Sequence, residues 1–466
     1  METYPLAPSS SSLAVVGNRY KVILWLALPT VFAMVSQSLV NEIDVFFFGR
    51  LPVPESSHAQ AALLPSLILT WLFGGSLSAI SVGTQAMVAR RFAEGDRKAA
   101  GAVLGNAAAF CVAAGVIFSV VGLACLPWLV RSMIERPEVQ DVAIRYTRWR
   151  LCAVVSMSST AAIKAFFDGI GKTYVHLVAA IAMNVCNVAM CWLLIFGHLG
   201  APAMGAPGAG LAAFIATWIG LAVMLVYAWL ERADYHPLRW VNLSGRTIWQ
   251  LLKLSVPAAV ATVVMMVGFG LFARTVGKLD EGTGGETINE AANTDIIEAL
   301  KLTFTACMAF GTATATLISQ SLGRKDPAEA SRWGWASVRL GLVIFGVVGL
   351  CEGVLFTREI VGLFSTSSAV RDASMFPMHI MGVATPLIAV AMILIEGLFG
   401  AGNTRFVAVA QFLLIFAWLL PGAYVLGIVM HLGLRGIWIA AFVYACLAAA
   451  TMTTKFAGGS WKKIKI

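Results

Sequence analysis

Apolar runs longer than about 18 residues, each bounded by charged residues, glycine or proline, follow one another along nearly the whole chain. A helix of that length crosses the hydrocarbon core of a bilayer. The pattern therefore predicts an all-α, polytopic membrane protein with twelve transmembrane helices. These helices span approximately residues 22–48, 60–90, 99–126, 144–171, 174–197, 208–230, 250–277, 292–322, 330–356, 374–400, 406–429 and 434–455.

Composition agrees with this pattern. The 466 residues are 59% hydrophobic and only 12% charged, whereas soluble domains carry about 25% charged residues. The net charge of +9 is therefore better explained by basic cytoplasmic loops than by a nucleic-acid partner, which we do not expect. The eight cysteines lie in or beside apolar runs and show neither zinc-ligand spacing nor a secreted disulfide pattern.

Basic residues cluster on alternate connections. The clusters are Arg90, Arg91, Arg97 and Lys98 after helix two, Arg232, Arg239 and Arg246 after helix six, Arg324, Lys325 and Arg332 after helix eight, and Lys462, Lys463 and Lys465 at the end. Cytoplasmic loops are enriched in Lys and Arg, so we expect both termini in the cytoplasm and the protein in the cell (inner) membrane. Five arginines between residues 131 and 150 fall near the predicted outer side and weaken this asymmetry.

The chain also repeats itself. Three segments have counterparts in the second half, displaced by 228, 230 and 231 residues: 27–37 and 255–265, 89–96 and 319–326, 167–173 and 398–404. Both halves contain six helices, so they run in the same direction as parallel repeats. Transporters built from two related bundles place their sites near mid-membrane, within or between the bundles.

This repeat predicts five regions. They are a disordered cytoplasmic tail at 1–18, an N-terminal lobe of helices one to six at 19–230, a cytoplasmic linker at 231–248, a C-terminal lobe of helices seven to twelve at 249–456, and a basic cytoplasmic tail at 457–466.

Polar residues inside the first helix are the strongest functional signal. Gln37, Asn41 and Asp44 are spaced i, i+4 and i+7, so they share one helical face. A carboxylate in hydrocarbon costs several kcal/mol unless it faces a polar cavity, a partner or an ion. We interpret this face as the lining of a path through the membrane. The alternative is an aspartate that reaches water at the helix end near Gly49.

Several motifs together resemble the multidrug and toxic compound extrusion (MATE) family, and the likeness covers almost the whole chain. They are Pro29 with Asp44 and GRL at 49–51, ARRFAEGD at 89–96, DGIGKT at 168–173, NVCNVAMCWLLIFG and GAPGAGLAAFIAT in helices five and six, GTATATLISQSLGRKD, and GAGNTR. The pattern is similar to the prokaryotic, DinF-like branch. The resemblance implies twelve helices in two bundles and export of amphipathic cations against entry of protons or sodium ions.

The resemblance also implies roles for residues of helices one and five. Asp44 matches the aspartate that takes the coupling ion, and Pro29 would let helix one bend; a passive proline kink is the alternative. Asn184 and Asn187 share a face of helix five. In one interpretation Asn187 contributes to the ion site. In the other, both amides only form hydrogen bonds that hold neighbouring helices together.

Two departures from the family pattern concern the coupling ion. Cys191 stands where ion-binding members often have an aspartate, and Ala213 stands in place of a threonine, with Thr217 one turn on. Sodium prefers oxygen ligands. We therefore expect protons rather than sodium ions, with sodium at Asp44 and Asn187 as the alternative. Neither a cofactor nor a resident metal is expected.

Helix eight carries charges where its counterpart, helix two, has none. They are Asp295, Glu298 and Lys301, each three residues after the one before. One interpretation makes the two carboxylates a cation-selecting wall, with Lys301 keeping Glu298 ionised. The other is a self-contained Glu298–Lys301 pair, with Asp295 at the wet end of the helix.

Other candidates are apolar or lie at equivalent places in the two lobes. Met265, Met266 and Phe47 could form a soft wall that accepts varied compounds, although simple packing is the more common role of such residues. Lys164 and Glu396 occupy nearly equivalent places in helices four and ten. They could gate the cytoplasmic side as a cross-lobe ion pair, or each could pair locally.

These features predict a secondary-active multidrug exporter with alternating access, working as a monomer on small amphipathic compounds. The chain has no metalloprotease, serine-hydrolase or ATPase motif, so we expect an ion gradient to power it and no enzyme activity. The alternatives are a lipid-linked saccharide flippase, which would need a basic cavity, and a membrane-embedded enzyme, which would need clustered His, Cys or Asp.

Overall fold

The computed structural model describes the chain in five parts: residues 19–236, 243–281, 287–365, 367–464 and 466, without the side chains of residues 39–42. The predicted disordered tail at 1–18 and the side chain of Asn41 lie outside the described residues. The described parts are helices joined by short turns. Eleven of these helices are long and apolar enough to cross a membrane, and one bent pair makes a twelfth span. The predicted fold class is therefore confirmed.

The spans are numbered here in chain order. They are α1 Arg19–Phe48, α2 Glu55–Ala93, α3 Arg97–Met133, α4 Pro137–Cys152 with Val154–Gly169, α5 Tyr174–Phe196, α6 Ala206–Leu230, α7 Gly245–Gly277, α8 Ile288–Gly323, α9 Pro327–Leu355, α10 Ser368–Gly400, α11 Thr404–Val429 and α12 Gly433–Ala457. The face of the bundle at which α1 begins is called the near face, and the opposite face the far face. Twelve spans return the chain to the near face.

Helix caps explain one pair of repeated motifs. Asp96 precedes α3 and accepts a hydrogen bond from the Ala99 amide, and Asp326 precedes α9 and accepts one from the Glu329 amide. Each side chain satisfies a backbone donor that the first turn leaves free. The aspartates that end ARRFAEGD and SQSLGRKD therefore start equivalent helices in the two lobes.

The fourth span differs from its sequence prediction. It begins at Pro137 rather than near residue 144, and its two parts meet at an angle of 41°. Its first part is polar on average, so hydropathy alone hides it, and Arg145, Arg148 and Arg150 lie inside a helix. Arg145 pairs with Asp141 on the surface, whereas Arg150 turns inward.

Hydrogen bonds join the two lobes at the near face, where α8 packs against α2 and the end of α4. Gln85 Nε2 donates to Thr316 Oγ1 (2.8 Å), Ser319 Oγ to the Ala86 carbonyl (2.8 Å), and Gln320 Nε2 to the Gly169 carbonyl (2.8 Å). Gln85 and Thr316 are 231 residues apart, within one residue of the offset of 230 between 89–96 and 319–326, so equivalent helices meet here. The near face is closed in this structure.

The chain's end belongs to this closed face. Arg90 donates to the carbonyls of Ala401 (2.9 Å) and Ile464 (2.8 Å), and Trp461 is fully buried. The predicted basic tail at 457–466 is therefore packed against the helices through residue 464.

Candidate ion-coupling site

Asp44 is buried in the far half of α1, and three other side chains surround its carboxylate. The Tyr146 hydroxyl donates to Oδ2 (3.3 Å), and the Cys191 thiol donates to Oδ1 (3.6 Å). The Arg150 guanidinium lies 3.8 Å from Oδ2 and itself donates to the Tyr146 oxygen at 2.9 Å. Asp44 therefore faces a polar site formed by these three side chains, not the water at the helix end.

Helical spacing brings these groups together. Tyr146 and Arg150 are one turn apart on α4, and Asn187 and Cys191 are one turn apart on α5. The Cys191 thiol also donates to the Asn187 side-chain oxygen at 3.8 Å. Residues of α1, α4 and α5 thus converge on one carboxylate.

The other amides of the predicted polar stripe lie elsewhere. Asn184 Nδ2 donates to Ser36 Oγ (2.9 Å), and Gln37 Nε2 reaches Met183 Sδ at 4.0 Å. Both amides join α1 to α5. This is the bonding between helices that the sequence left as an alternative for Asn184. Asn187 is linked to Asp44 through Cys191, whose thiol contacts both side chains.

The groups around Asp44 are poorly suited to bind sodium. Its carboxylate contacts a phenol, a thiol and a guanidinium, whereas a hard cation requires several oxygen ligands. Thr217, one turn from the alanine that stands in place of the family's threonine, accepts a hydrogen bond from Ser156 Oγ (2.9 Å) at its Oγ1. Its hydroxyl is therefore bonded to α4 and not to Asp44. Arg150 already supplies the positive charge beside Asp44.

Arg150 and Tyr146 are functional candidates that sequence reasoning missed. Arg150 was interpreted as one of the outer basic residues, although only 16% of its side chain is exposed. A signal was present: a tyrosine and an arginine one helical turn apart share a face, and a cation buried in a span needs a partner.

An open groove of ≈ 540 Å³ lies between α1 and α5. Phe47, Asn184, Val185, Val188, Ala189 and Trp192 line it. Phe47 is one turn from Asp44 and packs edge-on against Phe196, with ring centres 5.8 Å apart. The groove therefore presents an aromatic, largely apolar wall close to the buried carboxylate.

The acidic residues of the C-terminal lobe form a second polar region. Glu298 and Lys301 pair at 2.9 Å, as the self-contained alternative predicts. Asp295 is only partly exposed, and its Oδ2 has no hydrogen-bond partner among the described residues. Glu352 of α9, which sequence reasoning also missed, accepts a bond from Thr303 while its Oε2 is buried without a described partner. Met265 is half-buried and Met266 is 49% exposed on α7.

Lys164 and Glu396 do not form the direct cross-lobe ion pair that was one of their predicted arrangements. Asp168 lies one turn further along α4 and binds the Lys164 ammonium at 2.6 Å. Pro29 lies within the continuous helix α1.

Solved structures with the same architecture identify the fold. The chain superposes on a MOP superfamily transporter from Pyrococcus furiosus with a TM-score of 0.86 and 19% identity, covering 96% of this chain and 97% of that one. It is also similar to the outward-facing conformation of a multidrug resistance MATE family transporter (TM-score 0.85, 19% identity, 97% and 99% covered). This chain therefore shares its fold with these two proteins.

The chain belongs to the MatE family. The family profile matches twice, at residues 29–193 and 257–425, which repeats the internal offset seen in the sequence. A probable multidrug resistance protein NorM of Thermotoga maritima is 24% identical over 95% of this chain and 93% of its own length. The multidrug resistance protein PmpM of Pseudomonas aeruginosa is 24% identical over 78% of this chain and 75% of its own length. Membership of the DinF-like branch stays a prediction.

Proposed function

We propose that this transporter is a multidrug exporter that exchanges amphipathic, mostly cationic compounds for protons by alternating access. The observation that carries the proposal is the buried Asp44 carboxylate with Arg150 beside it, close to an aromatic groove. NorM and PmpM relatives, whose names describe multidrug resistance, support export of varied drugs.

The charges around Asp44 supply a mechanism. Ionised Asp44 and Arg150 together are neutral, so a lipophilic cation can occupy the groove beside them. A proton on Asp44 leaves Arg150 without its counterion, and the site then carries one positive charge. In a medium of low dielectric constant, the charge of Arg150 then strongly repels a cation in the adjacent groove. Proton and cationic compound therefore exclude each other, which is what coupled exchange requires.

The acidic side of α8 has a supporting role in this proposal. Asp295 and the partly exposed Glu298 attract cations toward the C-terminal lobe. Met265, Met266 and Phe47 supply adaptable apolar contact. A flippase for an anionic lipid would need the opposite charge. Pro29 acts as the bending point of α1 during the exchange.

Gradient-driven transport by the purified protein tests the proposal. Exchange of one proton for one monovalent cation moves no net charge, so a pH gradient drives it about tenfold per pH unit, and the membrane potential does not. In liposomes containing a fluorescent lipophilic cation, we expect movement under a pH gradient alone and none under a sodium gradient alone. Movement with sodium alone, or with neither gradient, would contradict the proposal.

Replacement of Cys191 should change the ion requirement. Cys191→Asp places a second carboxylate beside Asp44, so two negative charges face one Arg150 and the site gains an oxygen-ligand pair for a cation. We expect the variant to respond to a sodium gradient that leaves the wild type unaffected. Cys191→Asn, which adds oxygen without charge, is the matched control and should stay insensitive to sodium. The same liposome assay measures both variants.

A further inference from the structure

Two hydrogen bonds at the closed near face are equivalent under the internal repeat. Arg90 of α2 and Gln320 of α8 are 230 residues apart, which is one of the repeat offsets. Arg90 donates to the carbonyl of Ala401, directly after α10, and Gln320 donates to the carbonyl of Gly169, the last residue of α4. Each lobe therefore supplies one side chain that binds a free carbonyl at a helix end of the other lobe.

Arg90 also binds a second carbonyl, that of Ile464, at 2.8 Å. A guanidinium presents five N–H donors in a fork, whereas the amide of Gln320 has one nitrogen donor group. Arg90 is only 7% exposed, and Gly323 of α8 lets its backbone come close, because a Cβ there would lie 2.6 Å from the Arg90 carbonyl oxygen. The bond to Ile464 thus breaks the symmetry of the joint in favour of the chain that follows α12.

Residues 458–464, called the tail segment, are anchored in the C-terminal lobe. Gly459 has a φ of 66°, which turns the chain back directly after α12. Trp461 is fully buried, stacks on Phe456 with ring centres 4.6 Å apart, and donates from Nε1 to the Phe456 carbonyl at 2.8 Å. Ile464 packs against a hydrophobic cluster made mainly of residues from the C-terminal lobe.

Ile466, beyond the tail segment, lies on the other side of the joint. It packs against a hydrophobic cluster made mainly of residues from the N-terminal lobe. A Cβ at Gly402, in the turn after α10, would lie 3.0 Å from the Ile466 Cγ2. The chain therefore runs from the core of one lobe, past Arg90, to the core of the other.

We propose that the tail segment is a latch that holds the near face closed: Trp461 fixes it to the C-terminal lobe, and its Ile464 carbonyl binds Arg90 of the N-terminal lobe. Opening of the near face must separate α2 from α8, and so must break the bond to Ile464 as well as the two equivalent bonds. A hydrogen bond from a charged donor is stronger than one between neutral groups, so its loss favours the open near face. This inference rests on the alternating access proposed above and does not involve the exchange at Asp44.

Hydrogen–deuterium exchange of the protein in lipid nanodiscs tests the latch. The readout is amide exchange in residues 312–323 of α8, which lose protection when the near face opens, with residues 137–150 at the far end of α4 as the internal reference. Arg90→Gln gives position 90 the residue of its counterpart, so the variant can bind the Ala401 carbonyl but not that of Ile464. We expect exchange in 312–323 to become about tenfold faster, because one hydrogen bond from a charged donor is lost, and exchange in 137–150 to stay the same.

The matched control is Arg91→Gln. Arg91 is the next residue of α2, and its partly exposed side chain pairs with Glu94 at 3.0 Å. This variant removes the same charge from the same helix end without touching the tail segment, and we expect exchange in 312–323 to equal that of the wild type.

A chain that ends at Lys463 is the second variant. It keeps Trp461 but lacks Ile464, so exchange in 312–323 should rise at least as much as in Arg90→Gln. Adding Arg90→Gln to the shortened chain should cause no further increase, because both changes remove the same bond. Unchanged exchange in both single variants, increases that multiply in the combination, or an equal increase in Arg91→Gln would overturn the proposal. The readout contains no transport step, so the latch and proton-driven export can each fail without the other.

Discussion

Asp44→Asn abolishes export driven by a pH gradient. The asparagine keeps the size of the side chain but cannot exchange a proton, and Arg150 remains as an uncompensated charge that repels cationic compounds. We expect accumulation under a gradient of one pH unit to fall about tenfold, to the level of protein-free liposomes. The measurement is uptake of a fluorescent lipophilic cation.

Two controls accompany this variant. Asp141→Asn removes an exposed carboxylate of α4 that pairs with Arg145 on the surface, and it should transport normally. Asp44→Asn combined with Arg150→Gln makes the site neutral again without a titratable group. We expect this double variant to bind the cation with no dependence on pH. Proton-driven export by Asp44→Asn alone would show that the coupling proton binds elsewhere.

Arg150→Met strongly destabilises the folded protein. It leaves Asp44 buried without a counterion, and breaking a buried ion pair on one side costs about 3–5 kcal/mol. The 3.8 Å separation between Arg150 and the carboxylate places our expectation at the lower end, about 3 kcal/mol. The measurement is the thermal midpoint in detergent, which we expect to fall by several degrees.

A second substitution should restore the stability that Arg150→Met removes. Adding Asp44→Asn to Arg150→Met removes both charges, so most of the lost stability should return. Arg148→Met changes an exposed arginine of the same helix and should leave the midpoint unchanged. A double variant as unstable as Arg150→Met would mean that Arg150 acts through packing and not through the charge of Asp44.

The sequence predicts most of the fold because its main signals are local. Apolar run length gives the spans, and the offset between Pro29 and Pro257 gives two lobes of the same direction. The polar first half of α4 was harder to assign. Its low hydropathy is not that of a typical membrane helix, and its buried face is defined only by the packing of α2 and α6 against it.

The site was predictable only in part for the same reason. Asp44 and Asn187 stand out because polar residues are rare within apolar spans. The spacing of Tyr146 and Arg150 marks a shared helical face, but the sequence does not show that this face meets Asp44, because that contact depends on how the helices pack. For Lys164 the sequence left two partners open, Glu396 of the other lobe or a local group, and the structure shows the local pair with Asp168.

Proton release on substrate binding tests the central claim most directly. Tetraphenylphosphonium, a lipophilic cation, is added to purified, weakly buffered protein, and the pH of the solution is followed as the cation binds. If Asp44 exchanges its proton for a cation, binding releases up to one proton per protein in the wild type and none in Asp44→Asn, while Glu396→Gln still releases it. Binding without proton release in the wild type, or equal release from Asp44→Asn, would contradict the account.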